Sequence, residues 1–103
     1  MNGQQNDRVV VARRLLIRGV VQGVGFRWFF VGEARRRGLD GWVRNLIDGR
    51  VEALVCGPQG AVVSMLMWAL AGPPGARVDE VLVEDSAERP QGFERRGTAR
   101  LME

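Results

Sequence analysis

The chain has 103 residues, 46% of them apolar, enough for one core with two layers and too few for two domains. Its 15 basic residues are all arginine and its 12 acidic residues leave a formal net charge of only +3; the two signs are interspersed, so no basic stripe of the nucleic-acid-binding kind is present. With no histidine and one cysteine, the usual neutral-pH base, the commonest metal ligand and an internal disulfide are all excluded.

No apolar run approaches the roughly 20 residues that a bilayer span needs. Residues 1–7 are polar and carry no signal-peptide core, which predicts a cytoplasmic protein. There is no internal repeat. Residues 1–8 read as a flexible tail, 9–96 as the folded domain and 97–103 as a C-terminal tail.

Val9 to Ile17 reads as a first strand, with Leu15 and Ile17 on one face and Arg14 and Arg18 on the other. Gly19-Val20-Val21-Gln22-Gly23-Val24-Gly25-Phe26-Arg27 follows. Three glycines permit a tight turn with successive N–H groups aimed at one spot. A helix start there adds positive dipole, and Arg27 adds a planar fork that grips two oxygens of an anion. The segment reads as an oxyanion cradle.

Phe26 to Arg37 reads as a helix. Phe26, Phe29 and Phe30 form an apolar stripe, Arg35-Arg36-Arg37 complement the C-terminal dipole, and Gly38 is a stop. Leu39 to Leu46 and Arg50 to Cys56 read as a hairpin about Asp48-Gly49. Pro58 opens a second helix, Gln59 to Ala71, closed by Gly72-Pro73-Pro74-Gly75, and Val78 to Val83 is a fourth strand. The order β-α-β-β-α-β predicts a ferredoxin-like α+β sandwich, with two helices on one face of a four-stranded antiparallel sheet.

Two motifs now stand at the right separation: the 19–27 segment, and Gly41-Trp42-Val43-Arg44-Asn45 followed by Asp48-Gly49-Arg50-Val51-Glu52. On these, with Gly57-Pro58, Trp68 and Ala76-Arg77-Val78-Asp79, residues 14–93 closely resemble the acylphosphatase family. The resemblance implies a hydrolase without metal or cofactor that splits the carboxyl–phosphate bond of acyl phosphates. It implies that the backbone N–H groups of Gln22, Gly23, Val24, Gly25, Phe26 and Arg27, with the Arg27 guanidinium, bind the phosphoryl group. It further implies that Asn45 orients the attacking water. The partners expected are a small acyl phosphate and inorganic phosphate as product and competitor, with no nucleic acid and no membrane.

The chemistry suits these residues independently of the family. An acyl phosphate carries a good leaving group, so fixed donors and a held water supply most of what the reaction needs. Asn45 holds water through a carbonyl acceptor and an NH₂ donor without taking its proton. Without the first motif, Asn45 reads as an ordinary turn residue, and Arg27 as a helix-surface cation. The Gln22 side chain reads as a tie between the loop and its surroundings. Phe26, Phe29, Phe30, Trp42 and Trp68 read as packing, with Trp42 toward the open sheet face. Cys56 reads as a small buried residue.

Two features depart from the family pattern. The second helix is apolar nearly all round: Val62, Met65, Leu66 and Ala69 suffice as an inward stripe, leaving Val63, Met67 and Leu70 as a weak self-association face on an otherwise monomeric protein. Near the end, Arg95 stands where an aliphatic residue is expected, which puts a final edge strand over 93–96 in question. Two other functions share the pattern. One is a non-hydrolysing module that binds acyl or carbamoyl phosphate, as at the start of hydrogenase-maturing carbamoyltransferases. The other is a ferredoxin-like RNA-binding domain, for which Trp42 is the one plausible stacking aromatic.

Overall fold

The computed structural model describes residues 9–101; the tail expected over 1–8 and the last two positions lie outside the described residues. The elements are β1 (Val10–Val20), α1 (Phe26–Arg36), β2 (Asp40–Asn45), β3 (Val51–Pro58), α2 (Gln59–Ala71), β4 (Arg77–Ser86) and β5 (Phe93–Arg95). The sheet order is β4-β1-β3-β2-β5. The first four strands pair antiparallel, as a ferredoxin-like fold requires.

The expectation of four strands needs one correction. A fifth, β5, pairs parallel to β2 with Phe93 opposite Gly41 and Arg95 opposite Val43. Phe93 explains why so short a strand holds: its ring is buried and lies 5.9 Å from that of Phe30. Burying a side chain of this size contributes about 1.5–3 kcal/mol. An arginine two residues later leaves that anchor intact. Backbone pairing also continues past Arg96, where the domain was expected to end. The Ala99 N–H donates to the Asn45 carbonyl, and the Ile47 N–H donates to the Ala99 carbonyl, both at 3.0 Å.

Period-two alternation assigns the two sheet faces. Leu15 and Ile17 from β1, Val43 from β2, and Val51, Ala53 and Val55 from β3 form one core with the helices. Phe30 and Ala34 enter it from α1, and Val62, Met65 and Ala69 from α2. Trp68 packs its ring 5.8 Å from both Phe26 and Phe30. Phe29 departs from the expected stripe: it is only half-buried and meets the exposed Trp28 edge-on, with centroids 5.0 Å apart. Val63, Met67 and Leu70 of α2 are exposed, as the apolar surplus on that helix required.

The opposite face carries a smaller cluster of Ala12, Trp42, Leu54 and Cys56. Next to it sits Glu52, 2% exposed and clamped by two arginines. Arg14 reaches one carboxylate oxygen at 2.6 Å and Arg44 the other at 2.7 Å, which satisfies a charge that would otherwise be costly to bury. The Arg44 and Arg96 guanidinium carbons lie 4.9 and 4.7 Å from the Trp42 ring centroid, within cation–π range. Trp42 thus faces the open side of the sheet while remaining buried.

Candidate active site

β1 ends in a bulge between Arg18 and Gly19. A Cβ at Gly19 would collide with the carbonyl oxygen of Arg77 on β4, so the strand leaves the sheet through a position only glycine fills. The chain then bends through 22–25 into α1. Gly23 and Gly25 both sit at φ 77°, and Gly25 caps the helix with no side-chain hydrogen bond. A left-handed φ at alternate residues turns the intervening amides toward a common side, the geometry of an anion-binding nest.

The main-chain N–H groups of Gln22, Gly23, Val24 and Gly25 donate to no acceptor among the described residues, and those of the first turn of α1 have no intrahelical acceptor. No acidic side chain occupies that first turn. Donors and helix dipole converge there without a resident anion to neutralise them.

Two other segments complete a cleft of about 130 Å³, lined by Gln22, Gly23, Gly25, Arg27, Asn45 and Arg95 among others. Asn45 is the last residue of β2, placed opposite Val51 just before the hairpin turn. Its Oδ1 is buried and has no hydrogen-bond partner among the described residues. An unpaired buried acceptor costs about 1–3 kcal/mol, so this atom is available to a donor entering the cleft. The turn itself is stiff. The Asp48 carboxylate accepts from the Arg50 N–H at 3.0 Å and from its guanidinium at 2.7 Å, contacts that hold its carboxyl below the usual carboxylate range.

Arg27 donates from Nη1 to the Arg96 carbonyl at 3.3 Å. Arg96 in turn donates its N–H to the Val43 carbonyl of β2 at 2.8 Å. The segment that follows β5 therefore connects Arg27 to the strand that ends in Asn45. The Gln22 side-chain amide makes the other connection, donating to the carbonyls of Leu46 and Arg50 at 2.8 Å each.

All the residues singled out from the two motifs thus meet at one cleft, except Val24, which is half-buried beside it. Sequence reasoning missed Trp28 and Arg95 as cleft residues. Arg95 was visible only as an anomaly, because a strand too short to show alternation gives no signal of which way its side chain faces. Cys56 stays outside the site; it is buried in the open-face cluster, and burial pushes its thiol pKa up. A larger hollow of about 930 Å³ lies over the open face beside Arg14, Arg44 and Glu52, and shares no lining residue with the cleft of the loop.

Among the described residues no group of three or more His, Cys, Asp and Glu side chains is placed to hold a metal ion. No helix is long and apolar enough to cross a membrane.

The family model named Acylphosphatase matches residues 13–95. An acylphosphatase of Azoarcus sp. is 53% identical over 81 residues, covering 79% of this chain and 83% of that protein. The solved acylphosphatase of Coxiella burnetii superposes with a TM-score of 0.81 at 34% identity, over 84% of this chain and 93% of that one. Full-length HypF, solved in a phosphate- and nucleotide-bound form, matches with a TM-score of 0.82 at 29% identity, over 89% of this chain but only 12% of that chain. On the two motifs, the cleft they build and these likenesses, the chain belongs to the acylphosphatase family, whose reaction is the hydrolysis of acyl phosphates.

Proposed function

We propose that the amides of Gln22 to Arg27 and the Arg27 guanidinium hold the phosphoryl group, and that Asn45 Oδ1 holds the attacking water. The observation that carries this is the buried, unpartnered Oδ1 in the same cleft as a turn of undonated amides. Water bound there attacks phosphorus as the bond to the acyl oxygen breaks. The electron pair of that bond leaves on the carboxylate, and phosphate remains in the loop.

The cleft lining includes no Asp, Glu, His or Cys. The most basic acceptor near the water is then a phosphoryl oxygen of the substrate, which takes the proton. The protein's contribution is position and charge: donors fixed before the reaction stabilise the phosphoryl oxygens without reorganising. The product keeps every contact of the substrate phosphate, so inorganic phosphate competes for the loop.

The enzyme acts as a monomer, since one chain supplies the loop, Arg27, Asn45 and Arg95. The single thiol, buried and unpaired, suits the cytoplasm. Nucleic acid is not a partner: the stacking surface of Trp42 is taken by Arg44 and Arg96. The test is phosphate release from benzoyl phosphate with a chelator present. Turnover should persist and be inhibited competitively by phosphate. Activity that vanishes with the chelator and returns with a divalent ion would overturn the reading, as would absence of turnover beside a positive shift assay on single-stranded RNA.

A further inference from the structure

Beside the cleft of the 22–27 loop lies a second, wider one of about 390 Å³, lined by Trp28, Val31, Gly32, Arg35 and Arg95. Trp28 and Arg95 line both. These two side chains therefore stand where the two clefts adjoin.

Arg95 forms no ion pair or hydrogen bond among the described residues. The neighbouring acid, Glu94, projects from the other side of β5 and pairs with Arg96 at 3.0 Å. Neither cleft has an acidic residue in its lining. Arg35, the other cation of the wider cleft, is committed to the Phe93 carbonyl, to which it donates at 2.8 and 3.3 Å. Arg27 is held by the Arg96 carbonyl at the loop. Of the three guanidiniums, Arg95 alone makes no hydrogen bond among the described residues.

Trp28 is 70% exposed, unusual for the side chain with most to gain from burial. It meets Phe29 edge-on and lines both clefts, presenting a flat apolar surface between them. An aliphatic residue at 95 would make the far wall neutral. An arginine places a fork of donors at the wall the two clefts share, and its methylene stem still offers apolar contact.

We propose that Trp28 and Arg95 form an acyl subsite that selects acyl phosphates whose acyl group ends in a second anion, a carboxylate or a phosphate. The assignment rests on the phosphoryl group sitting in the 22–27 loop. Trp28 covers the chain between the two charges, and Arg95 pairs with the distal one.

The probes are non-hydrolysable acyl phosphonates, titrated calorimetrically into the wild-type protein and into Arg95→Met and Arg95→Lys. Succinylphosphonate and butyrylphosphonate differ only in a terminal carboxylate against a methyl group. An analogue with a terminal phosphonate ranks the two kinds of anion. For the wild type, succinylphosphonate should bind about tenfold more tightly than butyrylphosphonate. In Arg95→Met that ratio should fall to about one, and in Arg95→Lys most of it should survive at low salt and shrink as salt is added. Using the ratio cancels the general effect of a cation on the phosphonate that both ligands share. Equal affinities in the wild type, or a ratio that Arg95→Met leaves in place, would overturn the subsite while the loop assignment stands. Failure of both analogues to bind would overturn the loop assignment and the subsite with it. Hydrolysis of the corresponding acyl phosphates, followed separately, reports on the reaction itself.

Discussion

The side-chain amide of Gln22 donates to the main-chain carbonyl of Leu46 at 2.8 Å. With its second bond, to the Arg50 carbonyl, this amide ties the glycine loop to the turn that follows Asn45. The proposed phosphoryl donors and the proposed water holder lie on segments distant in sequence, and this residue links them. Gln22→Glu keeps the shape but turns two donated bonds into carboxylate facing carbonyl. It should cost about 1–3 kcal/mol of stability, and each kcal/mol lowers the melting temperature by about 4–8 °C in a domain of this size. Thermal unfolding with and without phosphate measures both parts, and phosphate should protect the variant less than the parent. A variant as stable and as well protected as the parent would show that the tie is incidental.

Arg27→Lys keeps the charge and loses the planar fork. The three donors of an ammonium diverge from one atom and do not present the parallel pair that a guanidinium offers two phosphoryl oxygens. The loss expected is about 2–4 kcal/mol in kcat/KM, comparable to removing one oxyanion donor. Steady-state kinetics on benzoyl phosphate checks it. Near-parental turnover would mean that charge at the loop is sufficient.

Glu52 is the fold's most exacting electrostatic position, one carboxylate buried between Arg14 and Arg44. Glu52→Gln removes the charge that both guanidiniums require. Each arginine is about a quarter exposed and can turn to water, so the cost falls below that of stranding a fully buried ion, at about 1–3 kcal/mol. Denaturant unfolding should show a lower midpoint with an unchanged slope. Activity per folded molecule should hold, because Glu52 lies on the face away from the loop.

Where residue type alone decides local structure, the fold was legible. Pro58 at the start of α2 and Gly72 at its end place that helix to the residue. The Asp48-Gly49 turn gave the hairpin, and the glycine loop with Arg27 and Asn45 gave the cleft. What was not legible depends on contacts distant in sequence. β5 exists because Phe93 reaches Phe30, and no local pattern of three residues announces that. β1 and β4 run on past their apolar centres, to Val20 and Ser86, because they pair with each other and not because their own alternation continues. Phe29 matched a helical stripe, yet it is only half-buried and packs edge-on against the exposed Trp28 instead of entering the core. Arg95 looked like damage to an edge strand; its side chain instead helps to line the cleft.

With no acid, histidine or thiol lining the cleft, nothing essential titrates near neutrality, and kcat should be nearly flat from about pH 5.5 to 8. A catalytic histidine would impose a bend near pH 6.5 or so, and the chain has none. An acid limb should still appear, from stability. Hydrogen bonds from Arg37 and Arg36 hold Glu33 below its ordinary pKa, and those from Arg50 do the same for Asp48. A carboxyl whose folded pKa is depressed stabilises the fold above its unfolded pKa, and that contribution is lost as pH falls through the folded value. Activity should therefore fall only below the usual carboxylate range, in step with unfolding followed by circular dichroism. Asn45→Asp probes the neutral plateau from the other side. It keeps the size of the side chain and sets an anion beside an incoming phosphate, so KM should rise and kcat should gain nothing at high pH. A bell-shaped profile centred near neutrality in a protein that stays folded throughout, or an Asn45→Asp variant that outruns the parent at pH 8, would require a proton acceptor that the cleft does not contain.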